Sequence, residues 1–165
     1  MELKADAPYP SLDEISSDYT TLRLLSPAYA GREGELTAIL QYVFQSIVFG
    51  ESGNQEFSKM LLQIAVSEMH HLELLGTVIC KLGAPPVFTA CPPYPVGYYS
   101  ASCVNFARTP RQMLCADICA EENAIATYER ILLRIKNPPV AAVVSRILED
   151  EKLHLAAFNE LLSKL

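Results

Sequence analysis

Four glutamates and two histidines recur in this chain at spacings that could grip metal ions. The first half carries Glu35-x-x-Ala38-Ile39-x-x-Tyr42 and later Glu68-x-x-His71, and the second half carries Glu121-x-x-Ala124-Ile125-x-x-Tyr128 and later Glu151-x-x-His154. The leading glutamates lie 86 residues apart and the two Glu-x-x-His pairs lie 83 apart, so one pattern is written twice. Residues i and i+3 share one face of a helix, so each Glu-x-x-His aims two donors at one point. One Glu from each of two helices plus a Glu-x-x-His from each of two others is the donor set with which a helical bundle holds two metal ions. Four carboxylates buried together would not stay ionised without countercharge. Two divalent cations bring four carboxylates and two neutral imidazoles to zero. The set is rich in oxygen, has one imidazole per ion and lacks thiolate, which suits manganese or iron better than a structural zinc site. Six protein ligands, some of them bridging, can leave positions for peroxide or dioxygen, and redox chemistry is the natural use.

Four helices must carry these residues. Ser26-Pro27 reads as a cap with proline at the first helical position, and predicts a helix from about Pro27 to Phe49 that Gly50 stops. Leu36, Ile39, Leu40, Val43, Phe44, Ile47 and Val48 make it apolar nearly all round, with Thr37, Gln41 and Gln45 as a narrow polar stripe. Such a helix is deeply buried or covered by a second subunit, and a homodimer contact is expected here. After a short turn at residues 50–54, a second helix runs to about Leu82 with Gly83 as its stop. Its inward seam is Phe57, Leu61, Ile64, Glu68, His71, Leu75, Val78 and Leu82. Residues 84–109 are rich in proline (Pro85, Pro86, Pro92, Pro93, Pro95) and carry Tyr94, Tyr98 and Tyr99, as a long crossover between parallel helices would. Thr109-Pro110 opens a third helix to about Lys136, and Asn137-Pro138-Pro139 turns into a fourth with the seam Val140, Val144, Ile147, Glu151, His154, Phe158, Leu161 and Leu165. The expected architecture is all-α: a four-helix bundle over 27–165, two antiparallel hairpins joined by the crossover, with residues 1–26 as an arm and no second domain.

Bulk composition agrees. A chain of 165 residues that is 50% apolar can bury one proper core. The formal charge of −6 argues against a nucleic-acid partner, and two bound divalent cations would leave about −2. No basic region followed by an apolar run stands at the N-terminus, and no stretch nears the roughly 18 apolar residues that cross a bilayer. Cys80, Cys91, Cys103, Cys115 and Cys119 form no C-x-x-C pair. They read as reduced, cytoplasmic thiols in or near the core. His70, Glu122 and Glu129 fall off the seams as surface groups. Tyr42 and Tyr128 suit two roles, as core aromatics or as donors to a bridging carboxylate or bound peroxide. Asp150 can orient His71, although Ser67 stands at the matching place on the second helix.

The string Glu35-Leu36-Thr37-Ala38-Ile39-x-Gln41-Tyr42 resembles the first-helix motif of bacterioferritins. Met69-His70-His71-x-Glu73-x-Leu75-Gly76 and Asp150-Glu151-x-x-His154-x-x-x-Phe158-Asn159-Glu160 resemble the rubrerythrin-like, manganese-catalase-like proteins of the spore-coat type, over about residues 8–165. The resemblance implies a ferritin-like fold, a two-ion centre of manganese or iron, peroxide or dioxygen as small-molecule substrate, and spore association. Three departures narrow it. There is no rubredoxin-like C-x-x-C module. Ala124 stands where rubrerythrins carry a further glutamate. The chain also stops at Leu165, without the long extension that wraps neighbouring subunits in manganese catalases. The expected activity is catalase-like disproportionation of hydrogen peroxide, which needs no electron donor. The alternatives are ferroxidase and iron handling, or a structural coat-layer protein that keeps the metal site.

Overall fold

The computed structural model describes residues 3–92 and 97–165; Pro93, Tyr94 and Pro95 of the expected crossover lie outside the described residues. Among the described residues the chain forms α1 (Tyr19–Ala30), α2 (Glu35–Glu51), α3 (Gln55–Lys81), a single 3-10 turn (Ala101–Cys103), α4 (Pro110–Leu132) and α5 (Pro138–Ser163). The expected caps open α4 and α5: Thr109 accepts from the N–H of Gln112, and Asn137 from that of Val140. Gly83 takes a left-handed φ of 105° just past α3, as the stop requires.

The first helix departs from expectation. Instead of one helix from Pro27, a separate α1 runs through residues assigned to the arm, with Pro27 inside it. Asp18 is the true cap, accepting from the N–H groups of Thr20 and Thr21. Ser26 does not cap; its hydroxyl donates to the carbonyl of Leu22 one turn back. The chain then turns at Gly31 and Gly34. A Cβ on Gly34 would stand 2.5 Å from the Ala28 carbonyl oxygen, so only glycine lets α2 begin there. At the other end α4 stops at Leu132, short of Lys136, and Leu165 lies past the end of α5, half exposed.

Helix α2 packs antiparallel to α3, and α4 to α5. Contacts across the bundle run 35 to 128, 42 to 121 and 45 to 117, so α2 and α4 are also antiparallel. Hence α3 and α4 run parallel, as the crossover demands. The apolar core is split in two. One cluster, with Leu22, Leu25, Leu75, Val78, Val144 and Ile147, gathers under α1, and the other, with Phe49, Phe57, Leu61, Met113, Phe158 and Leu161, fills the opposite end. Each fully buried side chain of this kind contributes about 1.5–3 kcal/mol. Between the two clusters the seams of α3 and α5 turn ionisable.

Burial places the polar stripe of α2 and corrects the expectation for the cysteines. The polar stripe of α2 is inside: Thr37, Gln41 and Gln45 are buried, while Leu40 and Ile47 are exposed. The reason is a buried Asp117 on α4, whose Oδ1 accepts from the side-chain amides of Gln41 and Gln45, each at 2.8 Å. The cysteines are not core residues either, since Cys80, Cys91, Cys115 and Cys119 are exposed, Cys103 is half-buried, and all five are free. They fall off the seams, on the outer faces of α3 and α4 and in the crossover. Among the described residues no helix is long and apolar enough to cross a membrane.

Candidate metal centre

Glu35 is the first residue of α2, so the tight Gly31–Gly34 turn sets where its carboxylate enters the bundle. Glu121 stands mid-helix in α4, and the two Glu-x-x-His pairs stand mid-helix in α3 and α5. All six side chains are buried, Glu35 at 5% exposure and the rest at 1% or less. Their donor atoms form two overlapping groups, Glu35–Glu68–His71–Glu151 and Glu68–Glu121–Glu151–His154, with the atoms of each group within 4.8 Å of one another. The structure thus brings together all six residues that the spacing singled out, with Glu68 and Glu151 common to both groups. The two imidazole rings stack, their centroids 5.8 Å apart.

The fine geometry suits a shared cation. His154 Nδ1 lies 2.8 Å from Glu68 Oε1, and His71 Nδ1 lies 3.0 Å from Glu151 Oε1. Yet Glu68 Oε1, Glu151 Oε1 and His154 Nδ1 are buried with no hydrogen-bond partner. Close approach without hydrogen-bond alignment is what donors show when their lone pairs converge on a common point. Buried unpaired polar atoms cost about 1–3 kcal/mol each, and a cation removes that cost. The residues fit a pair of divalent ions.

Protons divide unevenly over the cluster. Burial, then the charges of Glu151 and Glu68, push Glu35 and Glu121 well above the ordinary carboxylate range. Burial would lower the histidines, but the charge of Glu68 and the hydrogen bonds of the surrounding carboxylates together outweigh it, raising His71 strongly and His154 to about 10. Burial likewise opposes ionisation of Glu68 and Glu151, but the adjoining histidines hold both below their usual range.

The tyrosines cross the centre reciprocally. Tyr42 on α2 donates to Glu121 Oε1 at 2.6 Å, and Tyr128 on α4 donates to Glu35 Oε1. Burial and the facing glutamates raise both phenols well above the usual range, so they remain donors. Asp150 Oδ2 lies 3.2 Å from His71 Nε2. His70, Glu122 and Glu129 are exposed, as expected. A cavity of about 350 Å³ between α2 and α4 reaches Glu35, Glu121 and Glu151 past the small side chains Ala38, Ala120 and Ala124.

The sequence reading missed Asp117, buried behind this cavity, where burial lifts its carboxyl to about 7 against the amides of Gln41 and Gln45. It also missed Arg146, which donates to Asp150 Oδ1 at 2.6 Å. Spacing carried a faint signal for both, since each stands four residues before an acid of the centre, Asp117 before Glu121 and Arg146 before Asp150.

Residues 15–88 match the family of manganese containing catalases. Protein CotJC of Bacillus subtilis is 26% identical over 159 residues, covering 86% of this chain and 82% of that protein. The crystal structure of KatB, a manganese catalase from Anabaena, superposes with a TM-score of 0.84 at 24% identity, over 99% of this chain and 80% of KatB. The bacterioferritin of Desulfovibrio desulfuricans, solved with its diiron site in different catalytic states, gives 0.71 at 25% identity, over 87% of this chain and 78% of that one.

Proposed function

We propose that this ferritin-like, manganese-catalase-like chain holds two divalent ions, of manganese or iron, and uses them to disproportionate hydrogen peroxide. One observation carries the reading: two buried donor groups share Glu68 and Glu151, leave three donor atoms unpaired, and meet at the foot of a cavity lined by small side chains. Glu35 and His71 would hold one ion, Glu121 and His154 the other, and Glu68 and Glu151 would help to hold both. When bound, such a pair supplies the two electrons that reduce one peroxide to water and takes two from another, releasing dioxygen.

The chain's own residues do the rest. Tyr42 and Tyr128 each tie down one oxygen of Glu121 and Glu35, leaving the other oxygen free for an ion. Ala38, Ala120 and Ala124 keep the approach open to a molecule as small as peroxide. The apolar clusters close the two ends of the bundle, so the cavity is the approach to the centre. The resemblance to spore-coat-type proteins suits a cytoplasmic, spore-associated setting, with a second copy covering the apolar outer face of α2.

Oxygen evolution from hydrogen peroxide by manganese-loaded protein tests the reading. Turnover well above that of free manganese is expected, and Glu121→Ala should lose both an ion and the turnover. No turnover above free manganese would overturn it. The same donors also support ferroxidase, for which iron-loaded protein would consume oxygen without peroxide. A purely structural coat role predicts lost thermal stability, and no lost activity, when metal is stripped.

A further inference from the structure

The two histidines are matched on the cluster side but not behind it. His71 Nε2 faces Asp150 Oδ2 at 3.2 Å on the neighbouring helix. At the matching place on α3 stands Ser67, whose buried hydroxyl has no partner and does not serve His154. Instead His154 Nε2 lies 3.0 Å from the backbone carbonyl of Leu3. A carbonyl only accepts, so Nε2 carries the proton and Nδ1 faces Glu68.

The segment that delivers this carbonyl is bound along its length. Arg146, itself buried, donates to the carbonyls of Ala7 and Ala5 and to Asp150 Oδ1. Asp150 also accepts from the N–H of Ala5 at 2.7 Å and the hydroxyl of Tyr9 at 2.6 Å. Tyr9 lies under the guanidinium of Arg146, 4.5 Å from ring centroid to Cζ, and meets His71 edge-on. The first residues therefore form a strap over the back of both imidazoles.

We propose that residues 3–9 are a working part of the centre, and that the Leu3 carbonyl is the positioning group for His154, doing there what the Asp150 carboxylate does for His71. The inference rests on the two-ion reading above. It makes the two ions unequal in a defined way: the ion served by His154 depends on the N-terminal strap, and the ion served by His71 does not need Leu3. Groups that orient a metal-bound histidine typically change affinity about 10–100-fold.

The test is manganese titration, with free Mn²⁺ read by electron paramagnetic resonance, of the full chain and of a chain lacking residues 2–4. The full chain should bind two ions. The shortened chain should keep one at unchanged affinity and bind the other about 10–100-fold more weakly, with helix content unaltered by circular dichroism. Leu3→Met, which keeps the carbonyl and an apolar anchor, should bind both as the full chain does. Equal weakening of both ions, or no weakening, in the shortened chain would overturn the inference alone. A full chain that takes up fewer than two ions overturns the two-ion reading, and the inference with it.

Discussion

Replacing Tyr42 by Phe keeps the ring against Phe158, at 5.0 Å between centroids, and removes only the hydroxyl that holds Glu121. Hydrogen bonds to a charged group are worth about 1.5–3 kcal/mol, so manganese affinity should fall about ten- to hundredfold in a competition titration. Because the arrangement is reciprocal, Tyr128→Phe should cost about the same; an effect confined to one tyrosine would deny the equivalence. A second expectation follows from the protons. Glu35, Glu121, His71 and His154 are all raised and so hold their protons more tightly than usual, while Glu68 and Glu151 are lowered. Ligands must give up their protons to hold a cation, so entering dications displace protons from the raised groups. A pH-stat titration near pH 7 should record that release, and affinity should fall steeply as the pH is lowered. Ion uptake without proton release would contradict this account of the cluster.

At the scale of elements, the seams of α3 and α5 were legible because a helix repeats its inward face every three or four residues, and Glu68, His71, Glu151 and His154 interrupt an otherwise apolar run. Two things were hidden, each for a physical reason. Ser26-Pro27 carries the residue types of a cap, yet Asp18 eight residues earlier holds that role, and the glycines that break α1 from α2 act through close backbone approach rather than by pattern. The stripe Thr37–Gln41–Gln45 looks like a solvated face from its own helix. Its partner Asp117 lies on another helix, 72 residues from Gln45, beyond the reach of any local period. That partner has a testable consequence. Burial lifts Asp117 from 3.8 to about 7. A raised folded value favours folding most below the unfolded value, so this contribution fades as pH rises from about 4 to 7, by up to about 1.4 kcal/mol per unit. Asp117→Asn removes that dependence, and can offer an N–H in place of Oδ2, which has no partner. Thermal melts should show the variant gaining on the parent between pH 5 and pH 8. An unchanged difference would mean the carboxyl stays ionised throughout. The cavity gives a further test: Ala124→Leu should narrow the approach between α2 and α4, lowering oxygen evolution several-fold while manganese content stays at the parent level.

At the scale of the whole molecule, Leu40 and Ile47 on α2 and Leu62, Val66 and Met69 on α3 are exposed, with Ile47 at 61% and Val66 at 54%. Side chains of this size gathered on one hairpin suit a twofold contact with a second copy. Sedimentation velocity should show a dimer, and Ile47→Glu with Val66→Glu should return a monomer; a parent chain that sediments as a monomer would refute it. The written repeat makes the two halves of the bundle look interchangeable, but their glutamates stand in different fields. Glu35 opens α2, where unpaired N–H groups present about half a positive charge, whereas Glu121 sits half-way along α4, far from either end. The field at a helix start favours an anion by about 0.3–1 kcal/mol, rising to about 2 kcal/mol when partly buried. The two carboxylates thus stand in unequal surroundings although their chemistry is identical, an asymmetry set by where a glycine turn lets a helix begin.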